Sequence, residues 1–233
     1  MKITTHTIVK NEQNWIKPAL LSVIDHVDQM LVWDTGSTDK TVEIIKSINS
    51  PKIKFKQFNN INRKSLVNLR NQQIKTTQTP WFLILDGDEI WPDSNLVQLI
   101  KSITQANSNT IALVNKTRNC IKDIYHYLPD SQGQYQIGPW HGHLNIRAIK
   151  NSLSLKVIGE YPLESYTVND IPLQDQPKKL EFVDTWYLHT THLKRSSWRH
   201  QLNVIDRLKK LKLIGQGIKL NSKDLPETLK TNQ

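Results

Sequence analysis

Three carboxylates follow directly on a run of four apolar residues. Residues 82–85 read Phe-Leu-Ile-Leu, and Asp86, Asp88 and Glu89 come next, with a glycine between the two aspartates. Carboxylates this close raise one another's pKa unless a cation lies among them. Two aspartates around a glycine can turn toward one hard cation, and Mg²⁺ or Mn²⁺ prefers such oxygen ligands. The stretch therefore predicts a divalent-cation site at a strand end. The structural alternative is a turn in which Asp88 or Asp93 caps the next helix.

A second polar segment begins at Asp34, after another predicted strand, and reads DTGSTDKT. Its single glycine, Gly36, excludes both the phosphate-binding loop and the dinucleotide fingerprint, which need more glycines at fixed spacing. Ser37 and Thr38 suit the cap of a following helix, and Asp39 suits its positive end. Capping does not account for Asp34, so we predict that this carboxylate hydrogen-bonds a ligand base or ribose.

Short apolar runs alternate with helix-like patterns over the first 115 residues. The predicted strands are Ile3–Val9, Gln29–Trp33, Lys52–Phe58, Trp81–Leu85 and Ile111–Val114. The predicted helices are Trp15–Ile24 with Asn11 as N-cap, one through Ile44, Ile45 and Ile48, Leu66–Ile74, and one with Pro92 in its first turn that ends near Ile103. This alternation predicts a parallel sheet flanked by helices, with ligands bound beyond the carboxyl ends of the strands. The polar residues after the first, second and fourth strands should therefore face one crevice.

The pattern after Asn115 is less regular. It predicts one or two strands in Tyr135–Ile149, a proline-containing loop with short strands in Tyr161–Asp184, a strand in Trp186–Leu193 and a helix in Ser197–Leu213. We expect one domain over residues 1–233, with a nucleotide-sugar-binding half (1–115), an acceptor-side half (116–193) and a basic C-terminal helix and tail (194–233).

Four motifs together resemble the nucleotide-binding half of family 2 glycosyltransferases. They are VKNE (9–12), VWDTGSTDKTVEII (32–45), LRN (69–71) and WFLILDGDE (81–89), in the order of the family. The resemblance implies an α/β fold of GT-A (Rossmann-like) type, with a mostly parallel sheet flanked by helices, a less regular acceptor-side half and a C-terminal amphipathic helix. Two positions depart from many members. Val9-Lys10 replaces a Pro and an aromatic residue, and Thr35 replaces a second aspartate.

The resemblance also implies a metal-dependent, inverting transfer from a nucleotide-sugar donor, with a UDP-sugar expected. By this resemblance Val9 and Glu12 would line the pocket for the nucleotide base, and Asp34 would bind the base or the ribose. Arg70 would contact the nucleotide. Asp86 would reach the ribose or a metal-bound water, and Asp88 would be a metal ligand. Asp86 is also considered as a ligand. A Mn²⁺ or Mg²⁺ ion there would neutralise charge that develops on the leaving group.

An inverting transferase needs a carboxylate to take the proton of the acceptor hydroxyl. The stretch GEYPLE (159–164) resembles, less well than the other motifs, a G-x-x-H-E-like stretch in similar enzymes. Glu164 is the first candidate for this base and Glu160 the second. The structural alternative is that both are surface acids on a loop.

Histidines supply further candidate ligands, because a neutral imidazole can bind a metal beside carboxylates. Similar enzymes often have a late histidine at the metal, and LHTTHLKRS (188–196) resembles that element. His192 is preferred there to His189. The cluster Trp140-His141-Gly142-His143 is a second possibility, for metal, acceptor or sugar stacking. A purely structural histidine is the alternative in each case.

The net charge of +10 is concentrated near the C-terminus. Residues 193–223 hold nine Lys or Arg and one acid, Asp206, which is a net charge of +8. The Ser197–Leu213 helix carries an apolar stripe that we expect to pack on the domain. Its basic face could touch an anionic membrane and a lipid-linked acceptor. No nucleic-acid motif appears, so no nucleic-acid partner is expected.

The N-terminal residues lack an apolar signal-peptide core, and no uncharged run reaches the roughly 18 residues of a membrane span. A single cysteine, Cys120, excludes an internal disulfide framework and suits a reducing compartment. We therefore expect a cytoplasmic protein, with peripheral contact at the inner membrane face as an option. The acceptor is expected to be a glycan, a lipid-linked saccharide or a protein. The rival functions are a nucleotidyltransferase on a related α/β fold and a non-catalytic nucleotide or nucleic-acid binder.

Overall fold

A computed structural model of the chain describes residues 1–59, 61–194 and 217–230. The strands are β1 (Ile3–Val9), β2 (Gln29–Asp34), β3 (Ile53–Gln57), β4 (Trp81–Ile84), β5 (Glu89–Ile90), β6 (Ala112–Asn119), β7 (His126–Tyr127), β8 (Tyr135–Ile137), β9 (Trp140–Gly142), β10 (Leu144–Lys150), β11 (Leu155–Ile158), β12 (Ser165–Val168), β13 (Ile171–Pro172), β14 (Leu180–His189) and β15 (Ile218–Lys219). The α-helices are α1 (Ile16–Leu21), α2 (Thr41–Ser47), α3 (Arg63–Thr76), α4 (Asp93–Gln105) and α5 (Glu227–Lys230). Short 3₁₀ turns lie at Ile24–His26, Asp130–Gln132, Leu173–Asp175, Pro177–Lys179 and Ser222–Asp224.

The central sheet has eight strands in the order β3-β2-β1-β4-β10-β6-β14-β5. Strands β1 to β4 are parallel to one another, and β6 is parallel to β14. Strand β10 is antiparallel to β4 and β6, and β5 is antiparallel to β14. The expected mostly parallel sheet is confirmed, and each of its antiparallel pairs includes β10 or β14.

Strand β4 and the residue after it contribute to cores on both faces of the sheet, because successive side chains of a strand point to opposite sides. Trp81, Leu83 and Leu85 pack with α1 and α4 on one face, while Phe82 and Ile84 pack with α3 and a small sheet on the other. A strand buried on both faces reads as a continuous apolar run, which is why the run was recognisable in the sequence.

The small sheet on the second face has the order β11-β12-β13 and lies against α3. The Asn71 side chain joins the two elements, since its amide nitrogen donates to the Val157 carbonyl and its oxygen accepts from the Val157 N–H, both at 2.8 Å. This side chain therefore pairs with β11 as a neighbouring strand would.

The starts of three helices differ from the sequence predictions. Helix α1 begins at Ile16, and Asn11 is not its N-cap, because its backbone is left-handed (φ 57°) and its side-chain oxygen accepts from the Thr38 N–H at 2.8 Å. Helix α2 begins at Thr41, one residue after an N-cap that has no side-chain bond. Ser37 and Thr38 are therefore loop residues rather than caps. Helix α4 begins at Asp93, so Pro92 is its N-cap and does not lie in its first turn.

The second half contains more strand than predicted. Strand β6 continues to Asn119, three short strands replace the one or two expected in 135–149, and β14 starts at Leu180 rather than near Trp186. The predicted helix Ser197–Leu213 lies outside the described residues. No helix in the described ranges is long and apolar enough to cross a membrane.

The His6 ring is buried in this core. It stacks on Phe82 with 4.1 Å between ring centroids, and Nε2 lies 2.5 Å from the Thr77 hydroxyl. Burial, assisted by the charge of Arg70, lowers the pKa of His6 to about 3. The folded protein therefore holds this ring neutral at pH values where the unfolded chain would protonate it.

Acid should destabilise the protein through His6. The unfolded histidine has a pKa near 6.5, so between pH 6.5 and 3 the unfolded state binds one proton more. The contribution of His6 to the free energy of unfolding is complete above pH 6.5. It is lost at up to about 1.4 kcal/mol per pH unit as the pH falls. We expect His6→Gln to flatten the slope of unfolding free energy against pH between 5 and 6.5, measured by urea titration. The exposed His141→Gln serves as the control, and equal slopes in all three proteins would contradict the assignment.

Candidate active site

Loops after β1, β2 and β4 meet at one edge of the sheet. The Asn11 N–H donates to the Ser37 hydroxyl at 2.9 Å, which ties the first loop to the second. Gly87 packs so closely against the first loop that a Cβ atom there would lie 3.1 Å from both Val9 Cγ2 and Glu12 Cγ. A side chain at position 87 would therefore force Val9 and Glu12, both buried beside Gly87, to shift by a few tenths of an ångström.

Asp34 is fully buried, and its carboxylate binds its own loop. It accepts hydrogen bonds from the Gly36 N–H at 2.9 Å, the Ser37 N–H at 3.0 Å and the Ser37 hydroxyl. Gly36 has a φ of 95°, a conformation that glycine adopts without strain. Local structure therefore accounts for Asp34, and the argument that only a ligand explains this aspartate is wrong. Its role toward the base or ribose stays a prediction.

Thr35 is also satisfied within the loops. Its N–H and its hydroxyl donate to the Val9 carbonyl at 2.9 and 3.1 Å. A threonine suits this buried position because its hydroxyl can donate to that carbonyl, whereas an ionised aspartate has no proton to give.

A buried arginine joins two of the three carboxylates. Arg147 Nη2 lies 3.1 Å from Asp86 Oδ2 and also contacts Glu89 Oε1, while Arg147 Nε lies 3.1 Å from the hydroxyl of Tyr187. Burial alone would raise the pKa of Asp86, but the nearby Arg147 and Arg70 charges outweigh it and lower that pKa. For the fully buried Glu89, burial outweighs the Arg147 charge and raises the pKa to about 7.

The third carboxylate, Asp88, faces a histidine. Asp88 Oδ2 lies 3.2 Å from His189 Nε2, and the Asp88 side chain is 3% exposed. The pairing of β5 with β14 brings the two together, since His189 is opposite Glu89 in the ladder. Burial alone would lower the pKa of His189, but the Asp88 carboxylate outweighs it and raises that pKa. His192 lies in the turn after β14, two residues past the Thr190 N–H that donates to the Asp88 carbonyl.

This pair has the spacing of two ligands of one octahedral cation. Adjacent ligands at the 2.0–2.1 Å distance of Mg²⁺ stand about 3 Å apart, close to the 3.2 Å observed between Asp88 Oδ2 and His189 Nε2. Within the described ranges no group of three or more His, Cys, Asp or Glu side chains could hold a metal by itself. Mg²⁺-type sites commonly use one or two protein ligands and complete their shell with substrate phosphates and water. The residues present therefore fit a cation that binds together with a diphosphate.

Residues 4–157 match the family model described as glycosyl transferase family 2. This chain belongs to glycosyl transferase family 2.

Curated relatives share part of the sequence. The SPbeta prophage-derived glycosyltransferase SunS of Bacillus subtilis (strain 168) is 33% identical over 100 residues, which are 42% of this chain and 23% of SunS. A TPR repeat-containing protein of Synechococcus elongatus is 33% identical over 82 residues, or 35% of this chain and 19% of that protein. The aligned part thus spans less than a quarter of each of these relatives.

Solved structures confirm the GT-A type of fold in this family member. S. aureus TarS 1–349 in complex with UDP-GlcNAc superposes with a TM-score of 0.59 at 16% identity, covering 94% of this chain and 68% of TarS 1–349. Glucosyl-3-phosphoglycerate synthase from Mycobacterium tuberculosis, in complex with Mn²⁺, UDP and glucosyl-3-phosphoglycerate, superposes with a TM-score of 0.51 at 13% identity. That match covers 99% of this chain and 92% of the synthase.

In this family 2 chain, Arg70 is paired with one of the two candidate bases. Arg70 Nε donates to Glu164 Oε1 at 3.3 Å, and the two side chains are 15% and 11% exposed. Glu164 Oε2 is buried and has no hydrogen-bond partner in the described parts of the chain. Glu160 is exposed on the same loop. The structure thus brings Glu164, but not Glu160, to the residue expected to contact the nucleotide.

Sequence reasoning missed Arg147 and Tyr161. The only signal in the sequence for Arg147 was its place inside the predicted strand region 135–149, because a charged side chain in a half-buried strand needs a buried partner. Tyr161 is 46% exposed in the loop before Glu164. Burial raises the pKa of its hydroxyl, as do the nearby Asp86 and Glu164 carboxylates.

The side chains of the second histidine cluster have different surroundings in the structure. Trp140 stacks on Phe182 with 5.8 Å between ring centroids, and His141 is exposed. His143 points inward, with Nδ1 3.1 Å from the side-chain nitrogen of Asn119. Trp140 is therefore engaged in packing, and His143 is the member of the cluster connected to the crevice.

Proposed function

We propose that this chain is the catalytic domain of a metal-dependent, inverting glycosyltransferase that uses a UDP-sugar. The observation that carries the proposal is the pairing of Asp88 Oδ2 with His189 Nε2 at 3.2 Å, at the strand ends of a family 2 fold. Relatives of the same fold have been solved with UDP-GlcNAc and with Mn²⁺ and UDP, which supports this donor and this class of ion. The family match also favours sugar transfer over the two rival functions.

The donor would lie across the crevice formed by the first three loops. Val9 and Glu12 would line the base pocket, with Asp34 holding the loop beneath the base or ribose. Asp88 and His189 would hold Mn²⁺ or Mg²⁺, while Asp86, fixed by Arg147, would stand beside the ribose. When bound, such an ion supplies positive charge that stabilises a departing diphosphate.

Glu164 is the proposed base. Its Oε1 is held by Arg70, which leaves the buried Oε2 to accept the proton of the acceptor hydroxyl. Attack by that hydroxyl on the face opposite the diphosphate would invert the anomeric carbon. The acceptor would be a glycan, a lipid-linked saccharide or a protein. Contact of the basic segment 194–233 with an anionic membrane, and the cytoplasmic address, stay predictions.

Thermal unfolding with UDP tests this function directly. We expect UDP with Mn²⁺ to raise the melting temperature more than UDP with EDTA, because a ligand that binds only the folded state adds about 2.7 kcal/mol at a hundredfold excess over Kd. Asp88→Asn should remove the Mn²⁺-dependent part of the shift. Asp93→Asn, an exposed aspartate of α4, should keep it.

Two results would overturn the proposal. One is an equal shift with UDP in Mn²⁺ and in EDTA. The other is a shift that only nucleoside triphosphates or oligonucleotides produce, which would favour the nucleotidyltransferase or the non-catalytic binder.

A further inference from the structure

A series of polar side-chain contacts runs from Asp88 toward the acceptor-side half. His189 Nε2 lies 3.2 Å from Asp88 Oδ2, and His189 Nδ1 lies 3.2 Å from Asn119 Oδ1. The Asn119 amide nitrogen lies 3.1 Å from His143 Nδ1, and the carbonyl of Pro129 lies against that second ring. One asparagine therefore stands between two imidazoles.

The backbones that carry these side chains are firmly held. His189 and Asn119 are opposite each other in the parallel ladder of β14 and β6. The Cys120 N–H donates to the His189 carbonyl and the Leu128 N–H to the Asn119 carbonyl, at 2.9 and 3.0 Å. The His143 carbonyl accepts from the Thr117 N–H at 2.9 Å. Side chains on elements this well bonded keep a fixed geometry.

A primary amide offers one donor side and one acceptor side, so it forces opposite roles on the two rings. With the NH₂ group toward His143, Nδ1 of His143 accepts, and its proton sits on the buried Nε2. The Asn119 oxygen then accepts from Nδ1–H of His189, so that a cation which displaces the proton between His189 Nε2 and the Asp88 carboxylate meets a lone pair on Nε2. In the flipped arrangement His189 would carry its proton on Nε2 and could not bind a cation there.

We propose that Asn119, held by His143, is a positioning residue that keeps His189 in the Nδ1–H tautomer and so presents Nε2 to the cation. The inference rests on the proposed function, because it concerns the cation that Asp88 and His189 would share. It extends that function by tying the affinity for the cation to a histidine of the acceptor-side half. Groups that orient metal-binding histidines typically change metal affinity 10- to 100-fold when removed.

The first readout is Mn²⁺ affinity in the presence of saturating UDP, measured by calorimetry and by electron paramagnetic resonance of free Mn²⁺. Asn119→Leu should weaken Mn²⁺ binding by about 10- to 100-fold, and His143→Phe should weaken it by less. UDP binding in EDTA should stay within twofold of wild type in both variants. Asn151→Leu is the matched control, because that part-buried amide donates to Thr77 and Thr79 carbonyls away from the crevice.

The second readout is the tautomer itself, from ring ¹H–¹⁵N correlations of the wild-type protein with UDP and the diamagnetic ion Mg²⁺. We expect the proton of His189 on Nδ1 and that of His143 on Nε2. A His189 proton on Nε2 in wild type would overturn the proposal, as would unchanged Mn²⁺ affinity in Asn119→Leu. If wild type with UDP takes up no Mn²⁺, the proposed function fails, whereas Mn²⁺ binding that Asn119→Leu leaves unchanged overturns this inference alone. If Asn119→Leu does not fold, His143→Phe and the wild-type spectra decide the outcome.

Discussion

Replacing Glu164 by glutamine should lower the turnover of a UDP-sugar by about 10²- to 10⁴-fold, the usual loss when a general base is removed. Glutamine keeps an oxygen for Arg70 Nε, which now donates to Glu164 Oε1 at 3.3 Å, so the local structure should survive. What it loses is the ability to take a proton at the second oxygen. Release of UDP with water as acceptor measures the effect without knowledge of the natural acceptor.

Glu160→Gln is the matched control for that experiment. The two glutamates lie in one loop, but Glu160 is exposed whereas Glu164 is paired with Arg70. We expect Glu160→Gln to retain wild-type turnover and both variants to bind UDP with Mn²⁺ normally. A large loss in Glu160→Gln alone would transfer the base role to that residue. A parallel loss of UDP binding in Glu164→Gln would mean that Glu164 serves binding instead of proton transfer.

Replacing Arg147 by methionine should destabilise the fold by about 3–5 kcal/mol at pH 8, the usual cost of leaving a buried charge without its partner. The partner left behind is Glu89, whose side chain is fully buried, together with Asp86. The loss should be smaller at pH 5. Burial already raises the pKa of Glu89 to about 7, and removing the arginine raises it further. A folded-state carboxyl with a raised pKa binds its proton more tightly than the unfolded one, so stability recovers as the pH falls.

Urea unfolding of the Arg147→Met variant at pH 5 and pH 8 checks this expectation. Adding Glu89→Gln should recover much of the lost stability at pH 8, because a neutral amide replaces the unpaired carboxylate. Arg147→Lys, which keeps the charge, should lose less. A loss below about 1 kcal/mol at pH 8, or a greater loss at pH 5, would contradict the central role given to this ion pair.

The sequence predicted the parallel half of the fold well because its signals are local. Strand β4 is a continuous apolar run that ends at polar residues, and the loops after β1, β2 and β4 carry family motifs at fixed spacing. The prediction of Asn11 as a helix cap failed for the opposite reason. Its side chain bonds Thr38, a residue of another loop, which spacing alone cannot reveal.

The site was harder to predict because its charges are paired across the chain. Arg147 reaches Asp86 from 61 residues away and comes from an antiparallel strand that the periodicity left unresolved. His189 lies beside Asp88 because β14 pairs with the two residues of β5, and the preference for His192 as a ligand stays a prediction. Long-range pairing of this kind depends on the whole sheet, so no short window of sequence contains it.

The bond between Asn71 and Val157 has a consequence for recombination between family members. Because this one amide fastens the β11-β12-β13 sheet to α3, the position of the loop that carries Glu164 depends on a side chain that lies 86 residues before Val157 in the chain. A chimera that imports the acceptor-side sheet of a relative would therefore have to import the matching stretch of α3 with it. The unit that would have to be exchanged is thus discontinuous in sequence.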